Sequence, residues 1–301
     1  MADRVRSLEN GVWGVLATPF TPGAAEVDEP SLLREVQLYL DVQATGLTVL
    51  GVFGEAAQLS EEEQGLVLDV VGSASGELPI VVGISAPSVA GAIAQGQRAV
   101  SKMGDRLRGL MVLITTTDPD ELAAQLGRIH AETGAGIVMQ DYPLVTGVRM
   151  PTDALVAAIR RCDFVVGVKS EAPPTPPAIA RLTSEITVPV FGGLGGVGLL
   201  DELASGAAGA MTGFSHPEGL VAAVSAWEQG RFSAARAAFM PWLPLVNFES
   251  QAGISLSIRK ELLRERGIIS CSAVRRPALP MPESLLPLLR QHIAAVTPMR
   301  T

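Results

Sequence analysis

GIVMQDYPLVTGVRMPTDALVAAIRRCDFVVGVK, residues 136–169, holds one complete repeat of the pattern that decides the fold. A short apolar run at 136–140 gives way to a loop. Pro151-Thr152-Asp153 then opens the amphipathic segment ALVAAIRR, and a second apolar run, FVVGVK, follows at 164–169. Near-continuous apolar strands suit a parallel sheet buried on both faces, with one helix crossing between neighbours. The same unit recurs in both directions along the chain. Further runs lie at 12–17 (VWGVLA), 47–52 (LTVLGV), 79–84 (PIVVGI), 109–114 (GLMVLI), 188–191 (VPVF) and 208–213 (AGAMTG).

Eight such runs, each with room for one crossover helix, predict an α/β protein built as a (β/α)8 TIM barrel. A doubly wound sheet rarely uses eight units so evenly spaced. Helix signals fill the intervals: Ser60 with Glu63 forms a capping box before QGLVLDVVGSA, and Pro30-Ser31 opens LLREVQLYL. Near residue 225 the alternation stops. WEQGRFSAARAAFMPWLPLV, ISLSIRKELLRERG and PESLLPLLRQHIAAV then predict three helices, the last preceded by the Pro-rich connector 275–282. The expected organisation is a barrel over residues 1–225 that carries the active site, and a C-terminal helical extension over 226–301.

The composition narrows the function. Hydrophobic residues make up 48% of the 301 residues and aromatics 4%, so Ala, Val, Leu and Gly carry the packing. A net charge of −8 without any basic stripe argues against nucleic acid or an anionic membrane as partner. The pairs Arg160-Arg161 and Arg275-Arg276 are expected to be solvated. Two cysteines, Cys162 and Cys271, are too few for a disulfide framework and wrongly spaced for zinc. The three histidines are scattered, so no metal constellation is readable. The first residues lack a signal-peptide core and no 18-residue run is free of charge and turn residues, which makes the cytoplasm the expected address. GLGGVG (193–198) fits the G-x-G-x-x-G spacing, but it follows the seventh run and no acidic residue closes the next one. A dinucleotide site is therefore rejected and no cofactor is expected.

In a TIM barrel the active site lies at the C-terminal ends of the strands. Lys102, Lys169 and Lys260 are the only lysines, and Lys169 alone closes an apolar run. Lys102 and Lys260 are expected at the surface. Strand alternation places Val165, Gly167 and Lys169 on one face. Two readings of Lys169 stand side by side: a strand-end lysine snorkelling to solvent, or an amine in the barrel mouth, where partial desolvation favours the nucleophilic neutral form. Glu171 shares its parity and is a candidate acid or base, against a solvated loop carboxylate. Thr18 closes the first strand and is placed to hydrogen-bond near the lysine. His216 follows the eighth strand on the same face, while His130 and His292 fall in helical segments as surface groups. Asp141 has the opposite parity and is expected to hydrogen-bond loop backbone.

Several linked segments carry a resemblance to a known family. GVLATPF (14–20), GVFGEAAQLSEEE (51–63), GVKS (167–170) and VFGGLGGVGLLDELASGAAGAMTG (190–213) together resemble the dihydrodipicolinate synthase and N-acetylneuraminate lyase family of class I pyruvate aldolases. The resemblance implies that Lys169 is the Schiff-base lysine. It also implies that Val52, Phe53, Gly193 and Thr212 line the substrate site, and that the chain is a homo-oligomer, a dimer or tetramer. Trp227, Phe232, Phe239, Trp242 and Phe248 are candidates to cover protein surface there.

The departures from the family are informative. Val52 and Phe53 replace two threonines that help hold the substrate carboxylate, leaving backbone N–H groups as donors. Gln140 stands where the catalytic tyrosine belongs, and Tyr142, two residues further with the same parity, is a candidate proton relay or a rim residue. Val145 replaces the arginine with which the synthases hold their second substrate. The fourth strand end (ITTTDP, 114–119) lacks the tyrosine often found there. The expected function is a Schiff-base-forming lyase of the aldolase type, acting on pyruvate or another 2-keto acid but not a true dihydrodipicolinate synthase. Two alternatives stand beside it: a dehydratase or hydratase-aldolase for a larger apolar 2-keto acid, and a non-catalytic keto-acid-binding barrel.

Overall fold

The computed structural model describes residues 5–296. The outer ends of the two expected units, residues 1–4 and 297–301, lie outside it. Eight parallel strands close into one barrel in sequence order, β1 pairing with β8. In chain order the elements are β1 (Gly11–Val15), α1 (Glu29–Asp41), β2 (Gly46–Val49), α2 (Glu61–Ala74) and β3 (Ile80–Ile84). Next come α3 (Val89–Met103), β4 (Leu107–Leu113), α4 (Pro119–Thr133), β5 (Ile137–Asp141), α5 (Pro143–Thr146) and α6 (Thr152–Ile159). Then follow β6 (Val165–Ser170), α7 (Thr175–Glu185), β7 (Val190–Gly192), α8 (Leu199–Ala204) and β8 (Gly209–Thr212). The chain finishes with α9 (Pro217–Phe239), α10 (Leu243–Glu249), α11 (Ser255–Glu265) and α12 (Leu286–Val296). The capping box expected from Ser60 and Glu63 opens α2, both of its hydrogen bonds being present.

Alternate strand residues fill two separate cores. Trp13, Val15, Val81, Met111, Val138 and Phe191 pack inside the barrel, where Leu8 closes the bottom through its N–H to the Val166 carbonyl. The other faces of β2 to β7 pack against the helical layer, and those of β1 and β8 against α8, α9 and the helices beyond. The parity expected for the sixth strand fails at its start: Val165 joins the outer layer and Val166 the inner one. The β5–β6 register shifts at this point: Ile137 pairs with Val165, pairing resumes as Val138 with Gly167, and it carries on to Gln140 with Lys169. Such a shift adds one residue to one strand and inverts the alternation locally.

Beyond β8 the expected first C-terminal helix is broken twice: α9 kinks at Gly230-Arg231, where the backbone leaves helical φ/ψ, and Pro241 separates the end of α9 at Phe239 from α10 at Leu243. Residue 225 falls inside α9. Phe239, Trp242 and Phe248, expected to cover surface, are instead buried in a core shared with Val12 and Ala210 of the barrel. Of the five rings named, Phe232 is the one largely exposed.

Lys260 also departs from expectation. Far from lying at the surface, it is fully buried on α11, bonded to the Glu55 carboxylate and to the Ala273 carbonyl, with its Nζ 4.3 Å from the centre of the Phe20 ring. Burial pushes its pKa down while Glu55 opposes that shift. Arg275, expected to be solvated, forks onto Glu63 and donates to the carbonyls of Ala24, Ala25 and Gln58. These contacts clamp the C-terminal segment over the loop that follows β2. Lys260→Met leaves the Glu55 charge buried and should cost about 3–5 kcal/mol, whereas adding Glu55→Gln should recover much of that loss. Denaturant unfolding of the two variants checks this, and equal stability of single and double variants would refute it.

Candidate active site

The strand ends open into a cavity of about 630 Å³ that holds Lys169. Such a volume suits a small molecule. Lys169 is 6% exposed, and its Nζ lies 3.3 Å from Oε2 of Glu171. Glu171 sits one residue beyond β6, on the same side as Lys169. Its Oε2 accepts from the Gln140 amide at 2.7 Å, and its Oε1 from the Leu194 N–H at 3.2 Å. Its own N–H donates to the Asp141 carbonyl. A carboxylate held from three sides is a preorganised proton acceptor or donor beside the amine. Gly193 makes room for it, since a Cβ there would stand 2.2 Å from Oε1 of Glu171.

Of the residues expected in the site, Lys169, Gln140, Tyr142, Val52, Phe53, Thr212 and Glu171 all line this cavity. Thr212 accepts the Gly195 N–H at 2.8 Å and so fixes the glycine-rich loop after β7. Tyr142 is half-buried, and its pKa is raised by burial and by the Glu171 charge, with Arg259 opposing. Val145 lies on the rim and borders an adjoining, more apolar cavity of about 490 Å³. Three expected members are not part of the lining: Gly193, which instead makes room for Glu171, and Thr18 and His216. Thr18 is buried and donates to the Gly54 carbonyl at 2.6 Å, so it shapes the loop after β2 without facing Lys169. His216 is fully buried against Ser215, Phe214 and Trp242, because the chain turns there into α9 and carries the ring away from the mouth.

Three further groups differ from expectation. His130 stacks on Phe164 and His292 on Phe248, so neither ring stands free at the surface. Asp141 is buried with one carboxyl oxygen lacking a partner, and desolvation lifts its pKa to about 6.

The loop after β2 is unusual in its backbone. Leu50 and Glu55 both adopt left-handed φ, near 55° and 54°, and bracket Gly51–Gly54. Non-glycine residues there store strain and persist only where surroundings over-determine them. The Lys260–Glu55 pair, the Arg275 N–H to Glu55 and the Thr18 hydroxyl supply that determination. Among the described residues the N–H groups of Val52 and Phe53 have no protein acceptor. Both residues line the cavity, where the family has threonines.

Arg259 was not legible as a site residue. It reaches in from α11, is 9% exposed, lines the cavity, lies 5.4 Å from the centre of the Phe53 ring and pairs with Glu249 at 3.3 Å. In sequence it is one of three adjacent charged residues, Arg259-Lys260-Glu261, in a helix with no apolar strand end to mark it.

The chain matches the model of the Dihydrodipicolinate synthetase family over residues 9–296. It is 30% identical over 299 residues to the L-2-keto-3-deoxyarabonate dehydratase of Azospirillum brasilense, spanning 95% of this chain and 93% of that protein. It is also 30% identical over 278 residues to the 4-hydroxy-tetrahydrodipicolinate synthase of Kineococcus radiotolerans, spanning 89% and 87%. The crystal structure of dihydrodipicolinate synthase from Rhodopseudomonas palustris superposes with a TM-score of 0.88 at 26% identity, covering 96% of this chain and 99% of that one. No helix among the described residues is long and apolar enough to cross a membrane. With the match running from the first strand to the last helix, the chain belongs to the dihydrodipicolinate synthetase family and is a lyase of that family.

Proposed function

We propose that this lyase forms a Schiff base between Lys169 and the keto carbon of a 2-keto acid and uses it to expel water from the neighbouring carbons. The observation that carries this reading is the buried Glu171 carboxylate 3.3 Å from the Lys169 amine, held by Gln140 where the family places a tyrosine. The amine adds to the C2 carbonyl and one water leaves as the imine forms. The protonated imine withdraws electrons from C3. Glu171 takes a C3 proton, giving the enamine. The enamine pair then expels the C4 hydroxyl, to which Glu171 returns the proton, so that one C3–H and one C4–OH leave together as water. Hydrolysis of the imine frees the product and restores Lys169. The Azospirillum relative is named as a dehydratase of a 2-keto-3-deoxy acid, which is the substrate pattern this sequence of steps requires.

Borohydride reduction in the presence of pyruvate should give an adduct that peptide mapping places on Lys169. An adduct on Lys102 or Lys260, or none with any 2-keto acid, would overturn the reading. Wild-type protein should not condense pyruvate with aspartate semialdehyde, because Val145 offers no charge where a carboxylate would need a bidentate arginine. Appreciable condensation by coupled assay would contradict this. Tyr142→Phe should cost less than about tenfold in turnover, since the general acid–base contribution is assigned to Glu171. Pyruvate itself, a cytoplasmic location suited to the free Cys162 and Cys271, and a dimer or tetramer complete the proposal. Light scattering at micromolar concentration tests the last of these, and a monomer would refute it.

A further inference from the structure

We infer that Arg259 reads the far end of the substrate, and that the enzyme takes 2-keto acids carrying a second acidic group at the end of the chain remote from the keto carbon. The inference rests on Lys169 as the anchoring amine. Lys169 closes β6, and Glu171 beside it reaches the loop after β7 through the Leu194 N–H. Arg259 lies further along that loop. A Cβ on Gly195 would stand 2.1 Å from its Nη2, so the guanidinium rests directly on this glycine, three residues past the end of β7. Carboxylate and keto groups bound at Lys169 would meet the unpartnered N–H groups of Val52 and Phe53. Arg259 lines the same cavity as Lys169, Val52 and Phe53, within reach of the rest of a bound chain.

The guanidinium is fixed for this use. Its Nε side pairs with Glu249, which is itself held by the Ser215 N–H and hydroxyl. Its Cζ stands over the Phe53 ring, 5.4 Å from the ring centre, and that ring in turn packs where any Cβ on Gly213 would collide with it. Among the described residues the guanidinium makes no hydrogen bond: Nε, beside Glu249, is buried without one, and the two Nη groups are not sealed from solvent although the side chain is about nine-tenths buried. A planar fork of N–H groups matches a carboxylate in both geometry and charge. Val52, Phe53 and Val145 on their own suit an apolar tail. With the guanidinium among them, such a tail would strand those donors, and a site built to bond a polar group rejects the analogue lacking it.

Borohydride trapping on Lys169 tests this with three probes: pyruvate, 2-oxoglutarate and 5-methyl-2-oxohexanoate. In the last, two methyl groups take the place of the distal carboxylate oxygens. Wild-type protein should be half-saturated by 2-oxoglutarate at a concentration at least tenfold below that for the branched analogue. Arg259→Lys keeps the charge beside Glu249 but loses the fork, and Arg259→Gln loses both. Both should shrink that preference to less than about threefold while pyruvate is trapped as in wild type. Equal trapping of the two longer acids by wild type overturns the inference, and so does a variant that loses pyruvate in the same proportion, which would mark a merely structural arginine. Absence of any Lys169 adduct overturns it together with the Schiff-base reading; an adduct without preference overturns it alone.

Discussion

Lys169→Arg should lower turnover of the true substrate below detection and abolish borohydride trapping, with the fold retained. Guanidinium stays protonated and cannot add to a carbonyl, yet it keeps a cation beside Glu171, so the buried carboxylate is not stranded. Loss of a covalent nucleophile in an enzyme whose other groups act only through it removes about 10⁶-fold in rate. No other amine can stand in. Lys102 is tied to Asp69 on the outer helices at 2.5 Å, and Lys260 is enclosed with Glu55 behind the β2 loop. Intact-mass analysis after reduction, with circular dichroism as the check on folding, settles the outcome. A folded Lys169→Arg protein that still turned over substrate would remove the assignment of the nucleophile.

Glu171→Gln should lower turnover by about 10²–10⁴-fold, the usual reach of a positioned acid or base, while Lys169 still traps pyruvate. The two readouts separate because imine formation needs the amine, whereas elimination needs a group that first takes a proton from C3 and then gives one to the departing hydroxyl. An amide can do neither. It can still accept from Leu194, so the loop after β7 keeps its place. KM should change little, since the lost interaction belongs to the transition state. Turnover within a few-fold of wild type would move the proton-transfer role elsewhere, with Tyr142 the next group in the cavity. Loss of trapping together with turnover would show Glu171 to be a structural partner of Lys169.

Much of this was readable from residues alone, for a physical reason. A barrel strand is buried on both sides, so each announces itself as an apolar run, and the observed strands begin and end within a few residues of those runs. Lys169 is conspicuous because a charged residue that ends such a run has few places to go. Glu171 follows from alternation. What stayed hidden was held by distant partners. Lys260 meets Glu55, 205 positions away, and Arg275 meets Glu63 across 212 positions, so no local pattern announces either pair. Arg259, Lys260 and Glu261 are consecutive and all buried, although charged residues are almost never fully buried unless paired. The Val165–Val166 inversion came from one slip in register. His216 was misplaced because parity counting does not survive a turn into a helix.

The clamp of α11 and residues 273–275 over the β2 loop has a consequence for when activity can begin. Synthesis delivers the chain from its N-terminus, and domains fold as units while they emerge. A nascent chain that has just completed β8 already owns Lys169, Glu171 and Gln140. It lacks Arg259, the Lys260 bond that holds Glu55 left-handed, and the Arg275 fork. Its mouth is therefore unroofed, with the strained loop free to relax. The residues that finish the cavity are thus made well after the strand that carries Lys169, so the lysine is enclosed only once the chain has been extended through Arg275.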